Sequence, residues 1–310
     1  MRLILAAIRV YLTGLSVFSS RLAGLEAFRI FCTPRFKREI PHELVPVMDT
    51  AQPVRLEVDG KAVAAFRWPA PSEDSSELGR SPGLDRDPGA PSAPKVLLVH
   101  GWESRAGRLA QWVEPLRGAG FEVLAFDAPA HGASEGSLTN PMEFAILIAD
   151  LESRFGPLHG LVAHSMGCIG AAMAVGGGFL RGAEDVKVPK LLFVGGAESS
   201  AQAMTDYCRI LGLGPKFPDL VQGAATDAVA TGHTVEDLAG HRLLGRAETD
   251  VLWLHAPDDD EVSIAEAETA AEACENVTLE RFPGLGHHRI ARDPAVIERG
   301  LSFFSGAGAA

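Results

Sequence analysis

The chain has 310 residues and a formal net charge of −12 at pH 7, with 46% hydrophobic and 22% charged residues. This balance is ordinary for a globular protein and excludes a disordered chain, a collagen-like chain and a disulfide scaffold. The length suits two domains or one large α/β domain with additional segments, and the acidic charge argues against general nucleic-acid binding, because phosphates would repel it.

Residues 1–33 predict an amphipathic helix that ends at Thr33-Pro34. Apolar residues recur there at steps of three and four, as on one face of a helix: Ile4, Ile8, Tyr11, Leu15, Phe18, Leu22 and Leu25. The longest uncharged stretch, 10–20, is shorter than the ~20 residues that span a bilayer. We expect the helix to dock on the protein's own surface or on a second subunit. A membrane surface is the second interpretation, and a cleaved or anchoring signal is the third.

Two strand-like runs, 54–58 and 62–68, flank Asp59-Gly60, which predicts a tight β-hairpin. Residues 69–94 are rich in Pro, Gly, Ser and Asp and hold almost no large apolar side chain. We expect this segment to be a flexible insertion that is dispensable for activity.

From residue 95 onwards, short apolar runs alternate with helix-like segments. The runs are 96–99, 123–126, 158–163, 191–194, 251–254 and 277–282, and the helical patterns are 109–119, 142–155, the stretch after 165, 264–274 and 295–304. This alternation predicts a parallel sheet covered by helices on both faces, with functional groups beyond the carboxyl ends of the strands. More than fifty residues between Val194 and Val251 interrupt it, which predicts a lid over the site.

The segment Leu161–Gly167 has the pattern of a nucleophile elbow, in which an apolar strand turns sharply into a helix at Ser165. The positions two before and two after the serine must be small, because the backbone passes close to another segment there. Ala163 and Gly167 meet this requirement, although the usual pattern has glycine at both positions. Ser165 is therefore the candidate nucleophile.

Four further motifs stand around the elbow, each after a predicted strand. They are His100-Gly101-Trp102, the turn from Asp127 to Ser134, the segment from Leu254 to Val262, and Pro283-Gly284-Leu285-Gly286-His287. With the elbow, they make residues 54–304 resemble the α/β-hydrolase fold superfamily. The resemblance implies a mostly parallel central sheet with helices on both faces, formed by 54–196 and 249–305, with 197–248 as a small helical lid.

A serine hydroxyl is a weak nucleophile, so it needs an imidazole to take its proton and a carboxylate to orient that imidazole. The resemblance assigns these roles to His287 and Asp259, in the chain order Ser-Asp-His that is typical of this fold. The alternatives are Asp258 for the acid and His288 for the base. His164 is expected to pack or form a hydrogen bond beside the elbow.

The resemblance also implies an oxyanion hole built from the backbone N–H groups of Met166 and Trp102. The predicted function is hydrolysis of a carboxylic ester in a small acyl substrate, through an acyl-enzyme and without metal or cofactor. Thioester or small-amide cleavage, a cofactor-free peroxidase or C–C hydrolase, and a non-catalytic binding protein are the alternatives. The substrate itself depends on the predicted lid.

Four cysteines are spread along the chain without the close spacing of a zinc or redox motif: Cys32, Cys168, Cys208 and Cys274. We expect them to be free, buried thiols. This fits a reducing compartment and therefore a cytoplasmic protein, with association at a membrane surface as the variant that the N-terminal helix suggests.

Overall fold

The computed structural model describes residues 2–58, 60–71, 93–177, 186–229 and 233–306. An eight-stranded sheet has the order β1-β2-β4-β3-β5-β6-β7-β8, and it is parallel from β4 to β8. Its strands are β1 (Gln52–Val58), β2 (Lys61–Trp68), β3 (Lys95–Val99), β4 (Glu122–Phe126), β5 (Gly160–His164), β6 (Lys190–Val194), β7 (Asp250–His255) and β8 (Val277–Arg281). The predicted α/β fold with a mostly parallel sheet is confirmed.

Helices cover both faces of the sheet. The α-helices are α1 (Arg2–Phe18), α2 (Ser20–Phe31), α3 (Val45–Asp49), α4 (Val113–Gly118), α5 (Pro141–Phe155), α6 (Gly167–Gly176), α7 (Ser200–Ile210), α8 (Phe217–Val229), α9 (Gly240–Leu244), α10 (Ile264–Ala273), α11 (Gly286–Arg289) and α12 (Pro294–Ser305). Alternate residues of β3 enter separate cores: Leu97 packs with Phe144 of α5, and Leu98 packs with Leu116 of α4. Every residue of β3, β4 and β5 is buried, which explains why these strands are apolar apart from Lys95, Glu122 and His164 at their ends.

The predicted hairpin is present at the edge of the sheet. β1 and β2 pair antiparallel, with Val58 opposite Lys61, and β2 pairs antiparallel with β4. Most of the predicted insertion at 69–94 lies outside the described residues, which omit 72–92.

The structure corrects the prediction of one N-terminal helix over residues 1–33. Ser19 leaves the helical conformation (φ −156°, ψ 112°), and its hydroxyl accepts a hydrogen bond from the Leu22 N–H at 3.2 Å, so that α2 begins as a new, capped helix. The predicted stripe is also wrong in part: Ile4, Tyr11, Phe18, Leu22 and Leu25 are exposed, whereas Leu12, Ala23 and Ala27 are buried. The buried face of α2 consists of small residues because that helix packs closely on another.

We call α1, α2, α7 and α8 the helical layer, because the N-terminal helices and the insertion share one apolar cluster. The insertion at 197–248 consists of α7, α8 and α9 with a 3₁₀ turn at Val235–Leu238. A Cβ placed on Gly24 of α2 would lie 2.5 Å from the Leu220 carbonyl oxygen of α8, so the two backbones touch at this glycine. Among the described residues, no helix is long and apolar enough to cross a membrane.

Candidate active site

Ser165 lies at the sharp turn between β5 and α6. Its φ is +55°, a left-handed conformation that is uncommon for a residue other than glycine. Its N–H donates to the Val194 carbonyl at 3.3 Å, and a Cβ at Gly167 would lie only 2.6 Å from the His100 carbonyl oxygen. Position 167, two residues after the serine, must therefore be small because the chain at the end of β3 passes close to it, as the elbow pattern predicts.

His287 reaches Ser165 from the segment after β8. Its Nε2 lies 2.9 Å from the serine Oγ, and its Nδ1 lies 2.8 Å from Oδ2 of Asp259. Asp259 belongs to the loop after β7, so three strand ends supply the three side chains. The arrangement suits an imidazole whose Nδ1–H donates to the carboxylate and whose Nε2 accepts from the hydroxyl.

The Asp259 carboxylate is held from both sides. Its Oδ1 accepts hydrogen bonds from the N–H groups of Glu261 and Val262, each at 2.9 Å, while Oδ2 faces His287. Burial by itself would raise the pKa of Asp259, but the hydrogen bond from His287, the charge of that histidine and the two N–H groups together lower it below its ordinary value. The group therefore stays an anion beside the imidazole.

The neighbouring carboxylates lie elsewhere. Asp258 Oδ1 accepts a hydrogen bond from the Gly284 N–H at 2.6 Å, so Asp258 braces the loop that carries His287. Among the described residues, Asp260 forms no hydrogen bond with His287, whose two ring nitrogens contact Asp259 and Ser165. Of the three consecutive aspartates, Asp259 is the one that the structure brings to the imidazole.

His288 faces away from the serine. Its Nε2 lies 2.7 Å from the Arg38 guanidinium and 2.9 Å from Oε1 of Glu261. A guanidinium can only donate, so Nε2 accepts from Arg38 and the ring is neutral. Burial, together with Arg38, His287 and Arg108, lowers the pKa of His288, and the charge of Glu261 opposes this only in part.

His164, beside the nucleophile, places Nε2 3.0 Å from the His287 carbonyl oxygen. Burial lowers the pKa of His164 to about 3, so the ring is neutral and donates this hydrogen bond. It positions the backbone of His287 rather than contacting Ser165 Oγ.

The loop after β3 passes directly over the serine. A Cβ on Gly101 would lie 2.7 Å from the Ser165 Cβ, so only glycine fits there. His100 Nε2 accepts from the Ala128 N–H at 3.0 Å, which leaves Nδ1–H to donate to the Gly101 carbonyl at 2.7 Å. Because a peptide N–H points opposite to its C=O, this bond also fixes the direction of the Trp102 N–H.

The turn from Asp127 to Ser134 braces the same loop. Asp127 Oδ1 accepts from the Ala106 N–H at 2.8 Å, and His131 Nε2 accepts from the Glu103 N–H at 2.9 Å. Within the described part of the chain, the backbone N–H groups of Trp102 and Met166 donate to no protein acceptor. Two unpaired donors thus flank the serine.

The sequence of residues 96–299, more than half of the chain, matches the model of the alpha/beta hydrolase family. The chain belongs to that family. No curated protein matches the sequence significantly. Membership in the family supports a hydrolase activity.

Solved structures show the same fold at low sequence identity. An esterase of Pyrococcus furiosus has a TM-score of 0.58 at 17% identity, over 88% of this chain and 98% of that chain. A monoacylglycerol lipase of Paleococcus ferrophilus has a TM-score of 0.54 at 22% identity, over 79% and 99% of the two chains. A bacterial membrane phospholipase A has a TM-score of 0.57 at 16% identity, over 100% and 99%.

In this hydrolase, Ser165 and His287 open into a cavity of about 130 Å³. Its wall includes three arginines, Arg38, Arg108 and Arg292, that the sequence analysis did not identify. No motif marks them, because they come from the segment after α2, the turn after β3 and the turn after α11. Only the folded chain brings them together.

Three histidines lie close enough to hold a metal ion: ring nitrogens of His164, His287 and His288 are within 4.8 Å of one another. Each ring already has a protein partner. His164 donates to a carbonyl, His287 joins Asp259 to Ser165, and His288 accepts from Arg38. The adjacent guanidinium also repels a cation, so the cluster fits hydrogen bonding better than metal coordination.

Proposed function

We propose that this alpha/beta hydrolase is a serine esterase that cleaves a carboxylic ester through an acyl-enzyme. The observation that carries the proposal is the continuous chain of hydrogen bonds from Asp259 through His287 to Ser165, with the serine open to a cavity. A non-catalytic relative has no chemical need for this chain or for a strained serine conformation.

The geometry suggests the order of proton transfers. His287 Nε2 takes the proton of the Ser165 hydroxyl as its Oγ forms a bond to the ester carbonyl carbon, and Asp259 stabilises the imidazolium. The tetrahedral intermediate then breaks the bond to the alcohol oxygen, which leaves with the proton from His287. Water repeats the sequence on the acyl-serine, and the carboxylic acid and free Ser165 result.

The unpaired N–H groups of Trp102 and Met166 are the proposed donors to the oxygen that becomes negative during these steps. Gly101 lets the loop that carries Trp102 approach the serine. We expect Gly101→Ala to lower kcat by about 10²-fold or more, because its Cβ would push the loop away from Ser165. Gly118→Ala is the matched control, since its Cβ would meet nothing within 4 Å.

An oxygen ester is the preferred substrate class because the structural neighbours include proteins described as an esterase, a monoacylglycerol lipase and a phospholipase A. A thioesterase domain from the curacin biosynthetic pathway shares the fold as well, so thioesters are the second class to test. The proposed chemistry uses only groups of this chain and needs no cofactor.

The test is a panel of p-nitrophenyl esters of graded acyl length, with matched thioesters and aminoacyl amides. We expect the wild type to favour the oxygen esters and Ser165→Ala to lose all turnover while keeping its melting temperature. Thioester or amide turnover that far exceeds ester turnover would contradict the substrate class. Full activity of Ser165→Ala would contradict the mechanism.

We also propose that α1 binds the surface of an anionic membrane. Its outer face is apolar and exposed, with Leu3 at 87%, Val17 at 79% and Phe18 at 89% of full exposure. The first 25 residues hold three arginines and no acidic residue, although the whole chain is acidic. An apolar face with basic flanks is typical of helices that lie in a lipid interface. The phospholipase described as a membrane protein aligns over this helix too.

Sedimentation with vesicles tests this second proposal. We expect the wild type to bind phosphatidylglycerol vesicles more strongly than phosphatidylcholine vesicles. The double substitution Val17→Ser, Phe18→Ser should weaken binding at least about tenfold, whereas Ile210→Ser, at an exposed apolar residue of α7, should not. Dimerisation without vesicle binding, abolished by the same double substitution, would assign the face to a second copy of the chain instead.

A further inference from the structure

The cavity above Ser165 is unusually basic for an acidic protein. Arg38, Arg108 and Arg292 line it together with the serine and His287, whereas the whole chain carries a net charge of −12. A cavity wall with an excess of one sign of charge attracts ligands of the opposite sign.

The three guanidinium groups have no carboxylate of their own. Within the described parts of the chain, none of them forms an ion pair with an acidic side chain within 4 Å. The side chains of Arg38 and Arg108 donate to neutral acceptors: Arg38 to His288 at 2.7 Å, and Arg108 to the Glu39 carbonyl oxygen at 3.3 Å. Arginines with only neutral partners keep N–H groups and charge for a ligand.

Two carboxylates, Glu103 and Glu261, also border the cavity. Glu103 Oε1 accepts a hydrogen bond from the Arg35 backbone N–H at 2.8 Å, whereas Glu261 lies 2.9 Å from His288 Nε2 and 3.6 Å from His287 Nε2. Three arginines therefore stand against two carboxylates in the wall, which leaves an excess of one positive charge.

The arginines are close enough to repel one another. Burial lowers the pKa of Arg108, and the charges of Arg38 and Arg292 lower it further, with only Glu43 opposing them. An anion bound between these side chains would relieve that repulsion, and a partly buried guanidinium forms strong charge-assisted hydrogen bonds with carboxylate or phosphate oxygens.

We infer that the esterase prefers esters bearing a carboxylate or phosphate group, and that Arg38, Arg108 and Arg292 bind this oxyanion at the mouth of the cavity. The inference rests on the proposed function and names the substrate class of that same site. The guanidinium fork fits both a planar carboxylate and a tetrahedral phosphate, because each offers a pair of acceptor oxygens.

Matched pairs of esters test the inference. Mono-4-nitrophenyl adipate and 4-nitrophenyl hexanoate have equal acyl length and differ in a terminal carboxylate, while butyryl glycerol phosphate and butyryl glycerol differ in a phosphate on the alcohol side. At low salt, we expect kcat/KM for at least one anionic ester to exceed that of its neutral partner about tenfold or more, and the pair that shows the preference identifies the anion.

Substitutions then locate the effect. The double variant Arg108→Gln, Arg292→Gln should lower the anionic preference at least about tenfold, because it removes two of the three charges. Arg246→Gln, an exposed arginine outside the cavity wall, should leave the preference unchanged. Binding of inorganic phosphate or adipate to Ser165→Ala, measured by thermal shift, should be lost in the same double variant.

Neutral esters hydrolysed as fast as both anionic partners, or a preference that survives Arg108→Gln, Arg292→Gln, would overturn the inference and leave the esterase proposal standing. Failure to hydrolyse any ester would instead overturn the proposed function. Phosphate or adipate binding to Ser165→Ala would then still show whether the arginines bind an anion, because this measurement needs no ester turnover.

Discussion

The parallel sheet and the helical layer of this molecule are built in different ways. In the sheet, large branched side chains are buried on both faces, and Ser165, Asp259 and His287 follow the ends of β5, β7 and β8. In the helical layer, small residues such as Gly24 allow close helix packing, and apolar side chains such as Phe18 face outwards. The strand ends hold these three side chains within hydrogen-bond distance of one another, whereas the helical layer exposes apolar side chains.

Substitutions in the two regions should therefore change different properties of the protein. A change at a strand end should alter activity and leave folding intact, because each side chain there is held by a few local hydrogen bonds. A change in the helical layer should alter stability or binding and leave the hydrogen bond between His287 and Ser165 in place.

The largest effect should come from His287→Ala. Without the base, Ser165 keeps its proton, so we expect kcat for a p-nitrophenyl ester to fall about 10⁴-fold or more while the far-UV circular dichroism is unchanged. The control is His288→Ala, at a neighbour that faces Arg38 and not the serine. If His288→Ala proved inactive and His287→Ala active, the base would be the wrong histidine.

Asp259→Asn should come next, with a loss of about 10²- to 10⁴-fold in kcat. Asparagine is neutral and can present a donor to His287 Nδ1, which favours the wrong imidazole tautomer. Asp260→Asn should have almost no effect, and Asp258→Asn a small one, since Asp258 only braces Gly284. Activity measured in parallel on the three variants decides the acid, and a larger loss in Asp258→Asn would transfer the role.

Glu266 lies where the insertion meets the sheet core and should control stability rather than catalysis. Its Oε2 accepts from the N–H groups of Glu198 and Ser199, at 2.8 and 3.3 Å, and burial raises the pKa of Glu266 to about 7. The folded chain therefore keeps a proton that the unfolded chain has released, and stability falls as the pH rises from about 4.5 to about 7.

Glu266→Gln removes this titration. We expect it to raise the free energy of unfolding by roughly 2–3 kcal/mol at pH 8 and to change it little at pH 4. Urea denaturation at the two pH values measures the difference. Glu272→Gln, at an exposed position of the same helix, serves as the control. An equal effect of Glu266→Gln at both pH values would show that its charge is not responsible.

The smallest effects should come from two glycines of the helical layer. Gly24→Ala brings a methyl group against the Leu220 carbonyl and should destabilise the protein by roughly 1–3 kcal/mol. Gly14→Ala, in open space on α1, should stabilise it by roughly 0.5–1 kcal/mol through helix propensity. Thermal denaturation compares them. Equal effects of both substitutions would contradict the close packing of α2 on α8.

Sequence patterns predict the sheet well because its strands are buried on both faces and form unbroken apolar runs. They also predict that Ser165, Asp259 and His287 meet, since each stands in a short motif directly after a strand. The local sequence there determines where the side chain lies.

What the sequence could not show depends on contacts between distant segments. The break at Ser19 accompanies the packing of α2 on α8, and the apolar spacing across it is typical of one continuous helix. The basic wall needs Arg38, Arg108 and Arg292 from three separate turns, and none has a neighbour in sequence that marks it.

The most direct test of the central claim is to trap the acyl-enzyme. Wild-type protein is mixed with a p-nitrophenyl ester, quenched in acid during the burst, and analysed by intact mass and peptide mapping. We expect one acyl group per chain, attached to Ser165, and none in Ser165→Ala or His287→Ala. Stoichiometric acylation of Ser165→Ala at another residue, or ester turnover by wild type with no acylated serine, would contradict it.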